Sequence, residues 1–152
     1  MAGPTNTQFA VAVHVLTYLA GTTDGRAVRS EELAEGANAN PVYIRRVLGP
    51  LRAAGLVRAR RGPTGGWHLA EPAESISLDR VWSLIQGSDP VLGLHGPDPE
   101  CATGRRVQAG LISLDRAVAA SVVATLGGVT IGDIALSDDP LRAAADVGCA
   151  SR

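Results

Sequence analysis

Apolar residues recur at helical spacing near the start of the chain: Phe9, Val13, Leu16 and Ala20 share one stripe. Ahead of them Thr5-Asn6-Thr7-Gln8 has the spacing of a capping box, and Gly21 with the TTDG stretch ends the segment. Ser30 then reads as an N-cap, with Glu31 and Glu32 in the first turn, where the helix dipole favours acids. This second helix is short because Gly36 and the Asn38-Ala39-Asn40 run break it. Asn40-Pro41 opens a third. Asn is a strong cap, and proline at the first helical position gives up a donor that has no partner there. Ile44, Val47, Leu48 and Leu51 form its inward stripe, and Gly55 stands where a C-terminal glycine is expected. LVRAR then alternates as a strand does, Arg61 to Gly66 supplies Gly and Pro for a turn, and WHLA is the returning strand.

Helix, short helix, turn, helix and hairpin is the element order of a winged helix-turn-helix. The second half is helical. Ser77-Leu78-Asp79 starts a segment with Val81, Leu84 and Ile85 inward and Gly87 at its end. A loop leads to Asp98-Pro99-Glu100, another cap, proline and acid, and the helix it opens extends to Leu126. Along it Val107, Leu111, Leu114, Val118, Val122 and Thr125 follow in steps of four and three, a coiled-coil-like stripe where Ala and Ser permit close approach. So long a stripe on so small a protein predicts a partner helix, hence a homodimer. Beyond Gly127-Gly128, Thr130 to Ile134 form a short terminal turn or helix. The expected fold class is mainly α with a small β-hairpin wing. Residues 1–75 form the winged helix-turn-helix, 76–98 a connecting helix and loop, 99–136 the dimerisation and terminal helices, and 137–152 a flexible tail.

Composition adds weight to the second copy. Of 152 residues, 45% are hydrophobic but 3% aromatic, so the core has little area per side chain. The net charge of −1 argues against nucleic acid until it is divided by position. All fourteen basic residues are Arg, and six of them (45, 46, 52, 58, 60, 61) fall between Gly36 and Ala70, where no Asp or Glu occurs. The remainder holds eight basic and fifteen acidic residues, a net −7, so a basic segment sits in an acidic frame. The start lacks the basic region of a signal peptide. The uncharged run 117–132, 16 residues with Gly-Gly inside, is too short and too broken to span a bilayer, so no membrane partner is expected. Two cysteines, Cys101 and Cys149, make no disulfide framework, and a reducing cytoplasm is the expected compartment.

At about 100° per residue, the third helix turns Val42, Arg46, Gly49 and Ala53 away from its apolar stripe, with Arg45 and Arg52 on one flank and Tyr43 on the other. Arginines and small residues facing outward with no acid nearby suit a DNA major groove, where Arg reads guanine O6/N7 or neutralises phosphate. A solvated face accounts for exposed charge but not for a stretch of this length without an acid. Arg61 and Gly62, with Gly65 and Gly66, suit a wing that enters a minor groove or meets phosphate. Nothing marks an enzyme. The GPTGG turn lacks the Lys-Ser/Thr of a phosphate-binding loop, and no catalytic pairing or metal-ligand spacing occurs, so no catalytic residue, metal or cofactor is expected.

The stretch SEELAEGANANPVYIRRVLGPLRAAGLVRARRGPTGGWHLAEPAESISLDRVWSLIQG resembles the Rrf2 family of bacterial winged-helix transcriptional regulators. GLV followed by RG, GG, an aromatic and LA is the specific part, and TIGDIAL resembles the family's terminal motif. The resemblance spans roughly residues 5 to 136. It implies a homodimer joined by the long helix on a dyad-symmetric operator in double-stranded DNA, most often as a repressor. It also implies base and phosphate contacts at Val42, Tyr43, Arg45 and Arg46, and wing contacts at Arg61 and Gly62. Pro50 departs from the pattern: it removes the bond to the Arg46 carbonyl and is expected to kink the helix or shorten its last turn, which bears on the reach of Arg52.

Cluster-binding members of that family carry three cysteines spaced six apart. Cys101 matches the first, but Val107 and Ser113 hold the other positions. A mixed-ligand iron–sulfur cluster would draw on His14 or His95, whereas His14 reads as a half-buried residue of the first helix and His68 as part of a wing strand. Cys101 alone falls in a first helical turn, with Arg105 and Arg106 helping and Glu100 opposing a reactive thiol, so it is a candidate redox or electrophile sensor against an inert cysteine. A small-molecule effector between wing domain and long helix is a further reading. So is a winged-helix module that binds protein instead of DNA.

Overall fold

The structure, a computed structural model, describes residues 4–141. Most of the tail expected at 137–152, including Cys149, lies outside the described residues. The chain forms α1 (Pro4–Gly21), α2 (Ser30–Gly36), α3 (Pro41–Ala53), β1 (Val57–Arg60), β2 (Gly66–Leu69), a 3-10 turn (Ala73–Ser75), α4 (Leu78–Gln86), α5 (Ala102–Leu126) and α6 (Ile131–Leu136). It is a mainly helical fold with a hairpin wing.

Helix α1 begins at Pro4, so Thr5 is a helical residue and not the expected cap. Its fully buried line is Ala12, Val15, Leu16 and Leu19, while Phe9, Val13 and Ala20 lie half-buried beside it. The line is rotated from the expected stripe because α3, α4 and α6 all pack on α1. Phe9 meets the buried Trp82 of α4 edge to face, with ring centroids 5.2 Å apart. Ser30 also differs from expectation. Arg29 holds the N-cap position of α2, and the Ser30 hydroxyl, buried, instead accepts the Trp67 indole N–H at 3.0 Å.

The end of α2 is set by Asn38, whose φ of 47° is the left-handed conformation that asparagine tolerates. There Ala39 N–H reaches the Ala34 carbonyl at 2.8 Å and Asn38 N–H the Glu35 carbonyl at 3.2 Å. Helix α3 starts as its sequence predicts, with the Asn40 side chain accepting from the Val42 and Tyr43 N–H groups at 2.8 and 3.3 Å. It closes in a Schellman arrangement around Gly55 (φ 79°): Leu56 N–H bonds the Leu51 carbonyl and Gly55 N–H the Arg52 carbonyl. Helix α3 runs through Pro50 to Ala53, so its final turn is kept.

The hairpin pairs Val57 with Leu69 and Arg60 with Gly66. A third backbone segment joins it. Val28 bridges Trp67 through two bonds, at 3.0 and 2.8 Å, so the wing is continuous with the chain that leads into α2. Gly66 is required there, because a Cβ on it would lie 2.5 Å from the Val28 carbonyl oxygen.

One apolar cluster fills the molecule: Ile44, Val47, Leu48 and Leu51 of α3 join residues of α1, α2 and α4, together with Val129 and Ile131. The C-terminal segment therefore returns to complete the core. Leu78 N–H bonds the Val129 carbonyl and Ile131 N–H the Ile76 carbonyl, and Thr130 with Asp133 forms a reciprocal capping box on α6.

Helix α5 stands apart. None of its residues is buried, and α4 is the element it packs against most closely. It begins at Ala102, not at Asp98. The Asp98 carboxylate accepts from the Glu100 N–H within the preceding turn, and Cys101 is the N-cap. By length and composition alone α5 matches a membrane-crossing helix. However, Asp115 and Arg116 fall at its middle, where each charge costs roughly 2.5–3.5 kcal/mol in a bilayer. Asp115 is also engaged in the fold, accepting the Leu92 N–H at 2.8 Å and tying the 87–101 loop to the helix.

Candidate nucleic-acid interface

With Ile44, Val47, Leu48 and Leu51 held in the core, helical geometry turns Val42, Arg45, Arg46, Gly49, Arg52 and Ala53 to solvent, and all six are exposed. Val42 is 68% exposed, a large apolar side chain at the start of a polar face. Tyr43 is half-buried against the core. In the wing, Arg58, Arg60, Arg61 and Gly62 are all exposed. The turn closes through Gly65 N–H to the Gly62 carbonyl at 2.9 Å, with Gly62 at φ 105° and no atom crowding a Cβ there. A Cβ on Gly65 would collide with the Arg60 and Gly62 carbonyls. The glycines at 65 and 66 thus serve the wing's own backbone.

Three consecutive residues at the head of α2 bring these parts together. The Arg29 guanidinium donates to the Pro63 carbonyl in the wing turn at 3.3 Å. Ser30 receives Trp67 of β2. Glu31 accepts from Arg45 of α3 at 2.6 Å. The wing turn and the outward face of α3 therefore flank the same short stretch of chain. Among the described residues, Arg46, Arg52, Arg58, Arg60 and Arg61 form no ion pair, while Arg45 does. The expectation of a recognition helix with no acid nearby is corrected at this point: the 36–70 stretch lacks acids, but the fold delivers Glu31 from outside it. Arg29, Ser30 and Glu31 were not singled out as site residues from sequence, because their partners lie 14 to 37 positions away.

Helix α2 is itself fixed to the α1 end. The Tyr18 hydroxyl donates to Glu32 at 2.7 Å, and Arg26 donates to both Glu32 oxygens at 2.9 and 2.7 Å. Arg26, and then Tyr18, hold the Glu32 carboxyl down at about 2. The same hydrogen bond pushes the Tyr18 phenol above its ordinary range, and the carboxylate raises Arg26.

The sensing candidates are scattered. Cys101 is exposed, and its Sγ accepts the Gly104 N–H at 3.3 Å. Arg105 folds back to the Pro99 carbonyl. His14 is exposed, against the expectation of half-burial, because the buried line of α1 is rotated away from it; His68 is half-buried in β2. Among the described residues no three His, Cys, Asp or Glu side chains are grouped to hold a metal ion. With Val107 and Ser113 further along α5, one chain does not supply the thiolates of a three-cysteine cluster site. A polar crevice lies between the α1 end, β2 and the 3-10 turn, lined by Leu19, Arg26, Trp67 and Glu71.

Residues 5–136 match the Rrf2 family, described as iron-dependent transcriptional regulators. The Bacillus subtilis protein YwnA, which carries the name of an HTH-type transcriptional regulator, is 32% identical over 104 residues, 68% of this chain and 75% of that one. The HTH-type transcriptional regulator IscR of Cereibacter sphaeroides is 33% identical over 82 residues, 54% of this chain and 53% of its own. The crystal structure of Staphylococcus aureus CymR superposes with a TM-score of 0.61 at 25% identity, covering 88% of this chain and 98% of CymR. A winged helix-turn-helix fold with arginines free on its third helix and wing agrees with these likenesses. The chain belongs to the Rrf2 family of DNA-binding transcriptional regulators and is not an enzyme.

Proposed function

We propose that the protein is a cytoplasmic homodimeric repressor that reads a dyad-symmetric operator with α3 and the wing of each copy. The observation that carries this reading is the set of five exposed arginines on α3 and the wing, Arg46, Arg52, Arg58, Arg60 and Arg61, that form no ion pair among the described residues. Val42, Tyr43, Arg45, Arg46 and Arg52 would meet the major groove or its phosphates, and Arg61 with Gly62 would meet the flanking groove or phosphate. Residues 1–75 would then read DNA, 76–98 connect, and 99–136 join the copies. The groove on α5 lined by Leu114, Val118, Val122 and Leu126 supports that joining, since it is apolar and open in a single chain. Duplexes selected from a random pool test the reading. An Arg46→Ala and Arg61→Ala double variant should lose that binding, and normal binding by it would refute the assignment.

For the signal, we propose Cys101, exposed at the α5 N-cap, as a redox- or electrophile-sensing thiol. Oxidant should release DNA from wild type and not from Cys101→Ser; equal release from both rejects the role. The visible spectrum of the anaerobically purified protein tests the competing mixed-ligand cluster directly.

A further inference from the structure

We propose that Glu31 is a specificity-determining residue acting through Arg45: it occupies the guanidinium so that Arg45 answers to a base edge and not to any passing phosphate. The inference rests on the DNA-reading role of α3 proposed above. Arg45 Nη2 donates to Glu31 Oε1 at 2.6 Å, and both side chains are more than half exposed, at 53% and 61%. The pair therefore lies open to solvent, on the flank of the helix that the reading above assigns to DNA. Arg45 is the one arginine of the 36–70 stretch with an acidic partner among the described residues.

The chemistry separates two kinds of acceptor. A guanidinium has five N–H donors in a fixed fork, and the bond to Glu31 is made by one nitrogen. The remaining donors can still meet guanine O6 and N7, which are neutral acceptors and tolerate a carboxylate beside the arginine. A phosphate carries its own charge and must displace Glu31 or lie against it. The cost of the pair thus falls on sequence-independent binding, while a G·C pair in register keeps its contact. Glu31 is held in place by its neighbours, Arg29 on the Pro63 carbonyl and Ser30 on Trp67.

Glu31→Gln is compared with wild type on a short random-sequence duplex and on duplexes selected from a random pool. The variant should bind the random duplex more tightly, with a log–log salt slope steeper by about 0.9, the signature of one added phosphate contact. That slope corresponds to a roughly threefold larger loss of affinity between about 50 and 200 mM salt. Selection should broaden at one base pair of each half-site, and thermal unfolding should match wild type. In an Arg45→Gln background, Glu31→Gln should leave the slope unchanged. Equal slopes and equal preference in wild type and Glu31→Gln overturn the proposal. So does a Glu31→Gln effect that survives without Arg45, since Glu31 would then act by its own charge. A wild type with no salt-sensitive duplex binding overturns the DNA-reading role and this proposal together.

Discussion

Trp67 of the wing donates its indole N–H to the buried hydroxyl of Ser30 at the start of α2, across 3.0 Å and 37 residues of sequence. That bond and the Val28–Trp67 bridge beside it fix the wing against the helix-turn-helix. Ser30→Ala should therefore destabilise the fold by about 1 kcal/mol, the net worth of one such hydrogen bond, or roughly 2–4 °C in melting temperature for a chain of this size. Gly66→Ala should cost more, because its new Cβ meets the Val28 backbone at 2.5 Å and backbone cannot swing aside. Thermal unfolding of both variants gives the order, and a Gly66→Ala protein as stable as Ser30→Ala would contradict the packing of this junction.

Acid should weaken the α1–α2 junction in a defined window. The Glu32 carboxyl is lowered from 4.5 to about 2 by Arg26 and Tyr18. A depressed carboxyl stabilises the fold fully above its unfolded value and loses that contribution as pH falls through the window from 4.5 to about 2. Arg26 and Glu32 are 48% and 32% exposed, so solvent screening makes the contribution smaller than the shift alone suggests. Urea midpoints of wild type and Glu32→Gln should differ at neutral pH and converge across that window. A difference that stays constant with pH would remove Glu32 as the titrating group.

Local rules carried much of this architecture. The Asn40-Pro41 start, the Ile44, Val47, Leu48 and Leu51 stripe and the Gly55 stop each depend on neighbours within five residues, and each occurs as the spacing predicts. Ser30 and Cys101 show where such rules end. Both belong to the residue types or positions that mark helix starts, but the Ser30 hydroxyl accepts from a tryptophan of another element, and the turn at Asp98 delays the helix until Cys101. The candidate interface was legible as a run of arginines without acids. Glu31 could not be found that way, since its pairing with Arg45 follows from the angle between two helices and not from spacing. The return of Ile131 to the core is equally a property of the tertiary fold.

Wing and recognition helix should contribute separately to DNA affinity. Arg61 is exposed and without an ion pair among the described residues, so its guanidinium is free to release a counterion on binding. Arg61→Ala should reduce the log–log salt slope by about 0.9, uniformly across duplex sequences. Arg46→Ala should instead change which sequences are selected if it reads a base. Titrations at several salt concentrations distinguish these outcomes, and an Arg61→Ala slope equal to wild type would take the wing off the phosphate backbone.

The proposed homodimer is tested most directly on helix α5. It runs 25 residues with none buried, and leaves Leu114 58% and Val107 44% exposed. Its apolar groove is lined by Leu114, Ala117, Val118, Ser121, Val122 and Thr125, a mixture of branched and small residues on one face. Small residues let a partner backbone approach, and the branched ones fill the spaces between turns. Val118 lies near the middle of that groove, so Val118→Glu would bury two like charges against each other across a dyad. Leaving a buried charge uncompensated costs on the order of 3–5 kcal/mol, a shift of roughly two to three and a half decades in the association constant. Sedimentation equilibrium should give twice 15.6 kDa for wild type and 15.6 kDa for Val118→Glu. The monomer should keep its fold, because Val118 takes no part in the core formed by α1–α4 and α6. It should also lose operator affinity steeply, since one recognition helix then reads one half-site. A Val118→Glu protein that remains dimeric would move the interface off this groove.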